Sequence, residues 1–338
     1  MKIVIYRALV LILLLCYSSC THGGEKVFKK SRLAMDTVVT LTVVSSAEQD
    51  AEAAINKAFA EIDRLSKLLD HFSKDSEVTL INRSAGLKPV SVSKETFEVI
   101  GKALYVSEKT FGAFDITVGP LMDLWDFREE SLPDSAVLKE KLSLVGYRGI
   151  ILNAAKRTVL LKRKGMAIDL GGIAKGYIAD KVVEVLKSNG IKAGIAAMAG
   201  DIKAFGRRPD GKPWRIGIKN PRPAGKENGD DIIAAVDLTD TAISTAGDYE
   251  RYFIKNNVRY HHILDPKTGY PANECRSVSI ITADGVYTDG FDNGIFVLGP
   301  KRGREVLGKL GLDGIIVDSA GNITFTDAMK GKLELREK

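Results

Sequence analysis

Cysteine is scarce in this sequence. Its 338 residues hold three, Cys16, Cys20 and Cys275, and the first two fall within the N-terminal twenty. If those two leave or are modified, no intramolecular disulfide can form, even in an exported chain where one would be allowed. Stability must then come from a core, and 45% hydrophobic residues over this length suffice for one large domain or two tightly joined lobes. Long clusters of lysine and arginine are missing too. The formal charge of +6 includes Lys2 and Arg7, which a cleaved leader would remove. Such a balance does not point to nucleic acid as a partner. Internal repeats and low-complexity blocks are also absent.

A membrane-spanning run is lacking as well. The apolar stretch over residues 8–17 is too short to cross a bilayer as a helix but fits the core of a secretory signal. Small residues follow, and Ser18-Ser19-Cys20 looks like a lipoprotein processing site. Tyr17 stands where Leu is usual, and Leu15 makes Cys16 the poorer candidate. The expectation is a signal over 1–19, an acylated Cys20, a tether over 20–30 and one domain over 31–338. The location is then exported, lipid-anchored to a bacterial membrane, on its periplasmic or other extracytoplasmic face. An uncleaved anchor, or a simple signal with an incidental Cys, stays open as an alternative.

The remainder is mixed. Residues 38–44 are rich in β-branched side chains and predict a strand. Apolar residues recur at helical spacing over 47–69, with Ser46 and Gln49 placed as a capping box. Further helices are expected over 94–109, from Gly176 to a stop at Asn189-Gly190, and over 288–298. Strands are expected over 191–198, 215–219, 232–238, 249–255, 258–264 and 277–282, with hairpin turns at Asn256-Asn257 and around 319–322. Residues 221–229, polar and rich in Pro, Gly and Lys, predict a surface loop. Irregular alternation of strands and helices favours an α+β fold over a regular doubly wound sheet.

Several polar groups interrupt this scaffold. Asp169-Leu-Gly-Gly-Ile-Ala-Lys-Gly176 joins an apolar run to a helix; its glycines let a ligand approach the backbone, and a helix start offers free N–H groups to an anion. Asp115 and Thr117 sit between apolar residues, and Ala199-Gly200-Asp201 closes a strand on a carboxylate. Asp289 and Asn293, four apart, share a helix face and offer oxygen ligands suited to a hard cation such as Mg2+. Each also has a plain structural explanation: Asp289 as a helix cap, Asp265 before proline as a turn former, a strand-end His as a core residue.

In order along the chain, Met35-Asp-Thr37, Asp75-Ser-Glu77, Phe114-Asp-Ile-Thr-Val-Gly-Pro-Leu121, Asp169-Leu-Gly-Gly-Ile-Ala-Lys-Gly176 and Ala199-Gly-Asp201 are followed by Ser244-Thr-Ala-Gly-Asp-Tyr-Glu-Arg-Tyr252, His262-Ile-Leu-Asp-Pro-Lys-Thr-Gly269, and Thr288-Asp289 leading to Phe296-Val-Leu-Gly299. Through these motifs the chain resembles the ApbE family of FAD:protein FMN transferases. The resemblance implies an α+β fold related to the T-fold and an FAD-binding cleft with Mg2+ on the pyrophosphate, Mn2+ being the alternative metal. FMN would pass to a Thr or Ser of a partner protein, AMP leaving. The acceptors would be subunits of membrane redox complexes.

Carried onto this sequence, the resemblance implies His262 as general base and Asp289 as a second catalytic residue. The metal would be held by the Ala174 carbonyl, Asp289 and Asn293, the last replacing a Thr by another oxygen donor. Met35, Phe72 and Tyr177 would offer surface to the rings, and Lys175 with the N–H groups after Gly171 would hold phosphate oxygens. Asp115 and Asp169 would meet polar groups of flavin or adenosine or orient neighbours. Ser73, Phe114, Thr117, Gly200, Asp201, Ser244, Gly247, His262, Ile263 and Asp292 complete the expected FAD contacts. His261 fills a place usual for Ser or Thr and is expected to be peripheral. Met198-Ala199 also departs from the family pattern, with an effect on packing only.

Two rivals share the same site. One is a Mg2+-dependent FAD pyrophosphatase, in which water replaces the protein hydroxyl. The other is a non-catalytic periplasmic lipoprotein that stores or delivers FAD.

Overall fold

A computed structural model of the protein describes residues 24–223 and 231–336. The expected signal over 1–19, the acylated Cys20, the start of the tether and most of the 221–229 loop lie outside the described residues.

One antiparallel eight-stranded sheet organises the chain. Its spatial order is Lys26–Ala34, Thr37–Ser45, Gly194–Met198, Asp201–Phe205, Ala242–Gly247, Cys275–Thr282, Asp313–Asp318 and Ile323–Phe325. Alternation along Thr37–Ser45 divides its side chains between two layers. Val39, Leu41 and Val43 join the main core with the helices Glu48–Leu69, Lys94–Lys109, Ala174–Ser188 and Gly285–Leu310. Val44 faces a second core, shared with a three-stranded sheet of Leu333–Leu335, Ile232–Leu238 and Trp214–Lys219. A third cluster, around Leu121, Trp125, Leu138, Phe253 and Leu264, anchors the hairpin of Tyr252–Lys255 and Val258–His261. Cys275 is buried among apolar neighbours, and that burial pushes its thiol up to about 12. The α+β architecture is the one the sequence predicts.

Some elements differ from expectation, each for a local reason. Lys26–Ala34 is a strand despite its cations, so residues 26–30 of the expected tether belong to the sheet. A two-residue turn with positive φ at Met35 and Asp36 (52° and 55°) folds it back onto Thr37–Ser45, the geometry that suits strand twist. Ser46 does not cap the first helix. Ala47 is the N-cap and has no side-chain cap bond; the Ala47 N–H donates to Ser45 Oγ at 3.2 Å. Ala242–Gly247, for which no strand was expected, is a central strand of the sheet. The late helix begins at Gly285 and breaks at Gly299 (φ 76°), just past the expected end at 298, before resuming at Pro300.

Candidate active site

The segment before the Ala174–Ser188 helix is held from both sides. Asn82 matches its amide to the backbone of Ile168: Nδ2 donates to the Ile168 carbonyl at 2.9 Å, and Oδ1 accepts the Ile168 N–H at 2.8 Å. The Asp169 N–H donates to the Ile116 carbonyl at 2.7 Å. The Asp169 carboxylate accepts the Gly171 N–H at 2.7 Å and lies 3.5 Å from His71 Nδ1. Two glycines then permit close approach. A Cβ on Gly172 would lie 3.3 Å from both the Asn293 amide and the Phe114 ring, and one on Gly176 would lie 2.1 Å from the Gly285 carbonyl oxygen. Neither helix start has a side-chain cap of its own, at Ile173 or at Asp284.

Beyond this crossing lies an acid cluster. Oxygens of Asp201, Asp289 and Asp292 come within 4.8 Å of one another, and all three residues are buried. Lys175 answers them, its Nζ 2.6 Å from Asp201 Oδ2 and 3.5 Å from Asp289 Oδ1. Asp289 Oδ2 accepts the Gly176 N–H at 3.0 Å. Ser244 Oγ bonds to Asp201 Oδ1 at 2.6 Å and also to Asp292 Oδ2. Burial and the neighbouring Asp201 charge push Asp289 up to about 7, against the pull of Lys175. Burial, Asp289 and Asp201 likewise raise Asp292. Burial alone would lower Lys175, but the two carboxylates outweigh it and hold the ammonium charged. Three hard oxygen donors opposed by one cation fit a divalent ion such as Mg2+.

The structure sets two further carboxylates beside the expected metal residue Asp289. Asp289 stands with Asp201 and Asp292, which had been placed on FAD. Asn293 Nδ2 donates to the Asp289 carbonyl and to Asp292 Oδ1, both at 2.9 Å, so its amide nitrogen is tied to the cluster. Ala174 opens the helix next to Lys175, its N–H donating to the Leu170 carbonyl at 2.8 Å. The spacing of Asp289 and Asp292, three apart on a helix, was the available signal for the third carboxylate.

The other expected residues separate into two groups. His262 is held by its N–H, which donates to the Arg251 carbonyl at 3.1 Å, while its buried Nδ1 has no hydrogen-bond partner. Burial first, then His261 and Arg251, lower its imidazole to about 3. His261 is a structural residue: Nε2 meets the Ala272 carbonyl at 2.6 Å and Nδ1 accepts the Ile263 N–H at 3.2 Å. Ile263 is buried beside it. Met35 lies in the positive-φ turn, partly buried against the main core. Phe72 is 76% exposed, its ring 3.8 Å from that of His71, and the Ser73 carbonyl accepts from Thr79 Oγ1 at 2.7 Å. Gly200 packs over the Thr245 carbonyl, and a Cβ on Gly247 would meet the Tyr249 ring at 2.4 Å.

Asp115 and Thr117 bond to each other and to the backbone of Gly146 and Tyr147. Asp115 accepts from Thr117 Oγ1 at 2.6 Å and from the Tyr147 N–H at 2.7 Å, while Thr117 Oγ1 accepts the Gly146 N–H at 2.7 Å. Tyr177 is buried, and its hydroxyl reaches Glu98 at 3.2 Å. That hydroxyl belongs to a different cavity, lined also by Lys102, Asp180 and Lys203.

Known proteins resemble this chain in sequence and fold. The family model described as "ApbE family" matches residues 35–316. A Treponema pallidum (strain Nichols) protein named FAD:protein FMN transferase is 31% identical over 334 residues, spanning 93% of this chain and 91% of that protein. A protein of the same name from Klebsiella pneumoniae (strain 342) is 33% identical over 288 residues, covering 84% of this chain and 87% of its own length. Among solved structures, the ApbE protein of Thermotoga maritima superposes with a TM-score of 0.84 at 33% identity, over 92% of this chain and all of that one (100%). The flavin transferase ApbE from Vibrio cholerae gives 0.82 at 26% identity, over 91% of this chain and 99% of that one.

Proposed function

The chain belongs to the ApbE family, and from that premise we propose that it transfers the FMN half of FAD to a Thr or Ser hydroxyl of a partner protein, releasing AMP. The observation that carries this reading is the Asp201–Asp289–Asp292 cluster, with Lys175 beside it at a helix start, in the same chain as a neutral, unpartnered His262 nitrogen. Flavin transfer is the activity named for the relatives; the dependence on Mg2+, the leaving AMP and the hydroxyl acceptor are what the resemblance implies, and the acid cluster supports the metal.

In this mechanism the acceptor oxygen attacks the FMN-side phosphorus, and the bond from that phosphorus to the oxygen of the AMP phosphate breaks. The hydroxyl proton passes to the His262 imidazole, which burial keeps neutral at neutral pH and whose Nδ1 has no hydrogen-bond partner. Asp201, Asp289 and Asp292 would hold the metal, which supplies charge neutralisation at the pyrophosphate. Lys175 keeps a fixed positive charge at the cluster, and the Asp169–Gly171 bond holds the loop leading into the helix start. The acceptors are proposed to be subunits of membrane redox complexes. Lipidation at Cys20 would tether the catalytic domain to the extracytoplasmic face of a bacterial membrane.

The test is to incubate the chain with FAD, Mg2+ and an acceptor domain, and to weigh the acceptor by intact mass spectrometry. A gain of one FMN, with AMP formed in step, supports the transferase. Free FMN and AMP beside an unmodified acceptor, repeated with a second acceptor, would support the pyrophosphatase instead. FAD binding without AMP in either case leaves only a flavin carrier.

A further inference from the structure

The two helices that meet at the cluster cap each other. The Gly285–Leu310 helix has no side-chain cap from its own Asp284. Its first N–H groups go to the neighbouring helix, where Asp180 Oδ1 accepts from Gly285 at 2.8 Å and Oδ2 from Val286 at 3.0 Å. In return, Asp289 accepts the Gly176 N–H of the Ala174–Ser188 helix at 3.0 Å. Each carboxylate lies four residues past the glycine at the crossing, so the exchange is symmetric about the Gly176–Gly285 contact. The backbones touch there: a Cβ on Gly285 would lie 2.7 Å from the Gly176 carbonyl oxygen. Lys203 stands beside Asp180 at 3.5 Å and also donates to the Ala283 carbonyl, steadying the entry to the same helix.

We propose that Asp180 is a positioning residue for the acid cluster, acting through the start of the Gly285–Leu310 helix to fix where Asp289 and Asp292 stand. The inference rests on the reading that this cluster takes a divalent cation. Asp289 and Asp292 are one and two turns inside the end that Asp180 holds. With two N–H groups satisfied by one carboxylate, that end has a single rotational setting, and the carboxylates further along it inherit it. An asparagine at position 180 can accept at one atom only; its amide would face the second N–H donor to donor.

The test measures metal binding directly. Mn2+ is titrated calorimetrically into the full chain without FAD, for wild type, Asp180→Asn and a control, Val306→Ala. Val306 is a buried core residue on the same helix beyond the Gly299 break, outside the binding machinery. Supporting groups around metal ligands commonly change affinity by about 10–100-fold, so Asp180→Asn is expected to weaken Mn2+ by about tenfold. The Mg2+ needed for half-maximal transfer should rise equally, with kcat at saturating Mg2+ restored to within about twofold. Val306→Ala, at a comparable loss of Tm, should bind Mn2+ as the wild type does. Wild-type affinity in Asp180→Asn overturns the inference, as does an equal loss in Val306→Ala. Absence of Mn2+ binding by the wild type overturns the metal reading and this inference with it. Should Asp180→Asn not fold, Asp180→Glu, which keeps the charge but displaces the cap, is read by the same titration.

Discussion

The Lys175 ammonium lies 2.6 Å from the Asp201 carboxylate, a resident cation among three buried carboxylates that could hold a second. Removing it leaves three buried carboxylates facing one another. Lys175→Met should therefore cost about 3 kcal/mol of stability at neutral pH without metal, at the low end for a broken buried pair. Thermal melts with and without Mg2+ check this. Mg2+ should restore a larger share of the Tm in the variant than it adds to the wild type, and an equal Mg2+ response would contradict the proposal that the cluster beside Lys175 takes the metal.

Metal affinity should depend on pH with a definite sign. Asp289 is pushed from its ordinary 3.8 up to about 7, and a carboxylate must lose its proton to bind a cation. Affinity for Mn2+ should climb between pH 5.5 and pH 8, and the protons released per ion should decline over the same range. Without metal, the folded protein holds a proton that the unfolded chain gives up, so this group's contribution to stability falls as pH rises from about 3.8 through 7. Calorimetry at three pH values would show either the climb or a flat line.

His262 behaves in the opposite sense. Its folded value is lowered to about 3 from 6.5, so below 6.5 the unfolded chain takes up a proton that the folded one refuses. Stability from this source is complete above 6.5 and is lost progressively toward pH 3. His262→Gln should flatten that acid limb in urea melts, while lowering transfer by about 10²–10⁴-fold if the imidazole is the base. Full transfer by this variant would remove the base assignment.

Phe72 separates binding from folding. At 76% exposure it contributes little to the core, so Phe72→Ala should leave stability within about 0.5 kcal/mol. If its ring meets the flavin, FAD affinity should nevertheless drop by about tenfold, within the range found for aromatic pairs. Fluorescence titration of FAD against both proteins decides it; unchanged affinity would place the flavin elsewhere.

What could be read from the sequence, and what could not, follows the range of the interactions. The 48–69 helix and its buried face were legible because spacing is local. The break at Gly299 was legible for the same reason, as Gly-Pro punctuates any helix. The strand Lys26–Ala34 was not, since its cations lie on an edge and its pairing depends on the turn at Met35 and Asp36. Motif resemblance placed Tyr177 near the flavin rings; that its hydroxyl reaches Glu98, 79 positions away, is a tertiary contact with no local signal. Asp115 and Thr117 showed their burial in their apolar neighbours, but nothing local shows that Gly146 and Tyr147 would come to meet them. Asp201 and Asp292 were expected among the FAD contacts, from motif resemblance. Their meeting with Asp289 is a tertiary fact, made by a strand start and a helix far apart in the chain.

The exchange of caps between the two helices also orders the protein's birth. Gly176 and Asp289 are 113 positions apart, so a chain leaving the ribosome has made the loop, the glycines and Lys175 long before their counterpart exists. Contacts of such separation close late. The acid cluster therefore cannot assemble before residues 289 and 292 have been made, and a chain truncated ahead of them lacks two of its three carboxylates.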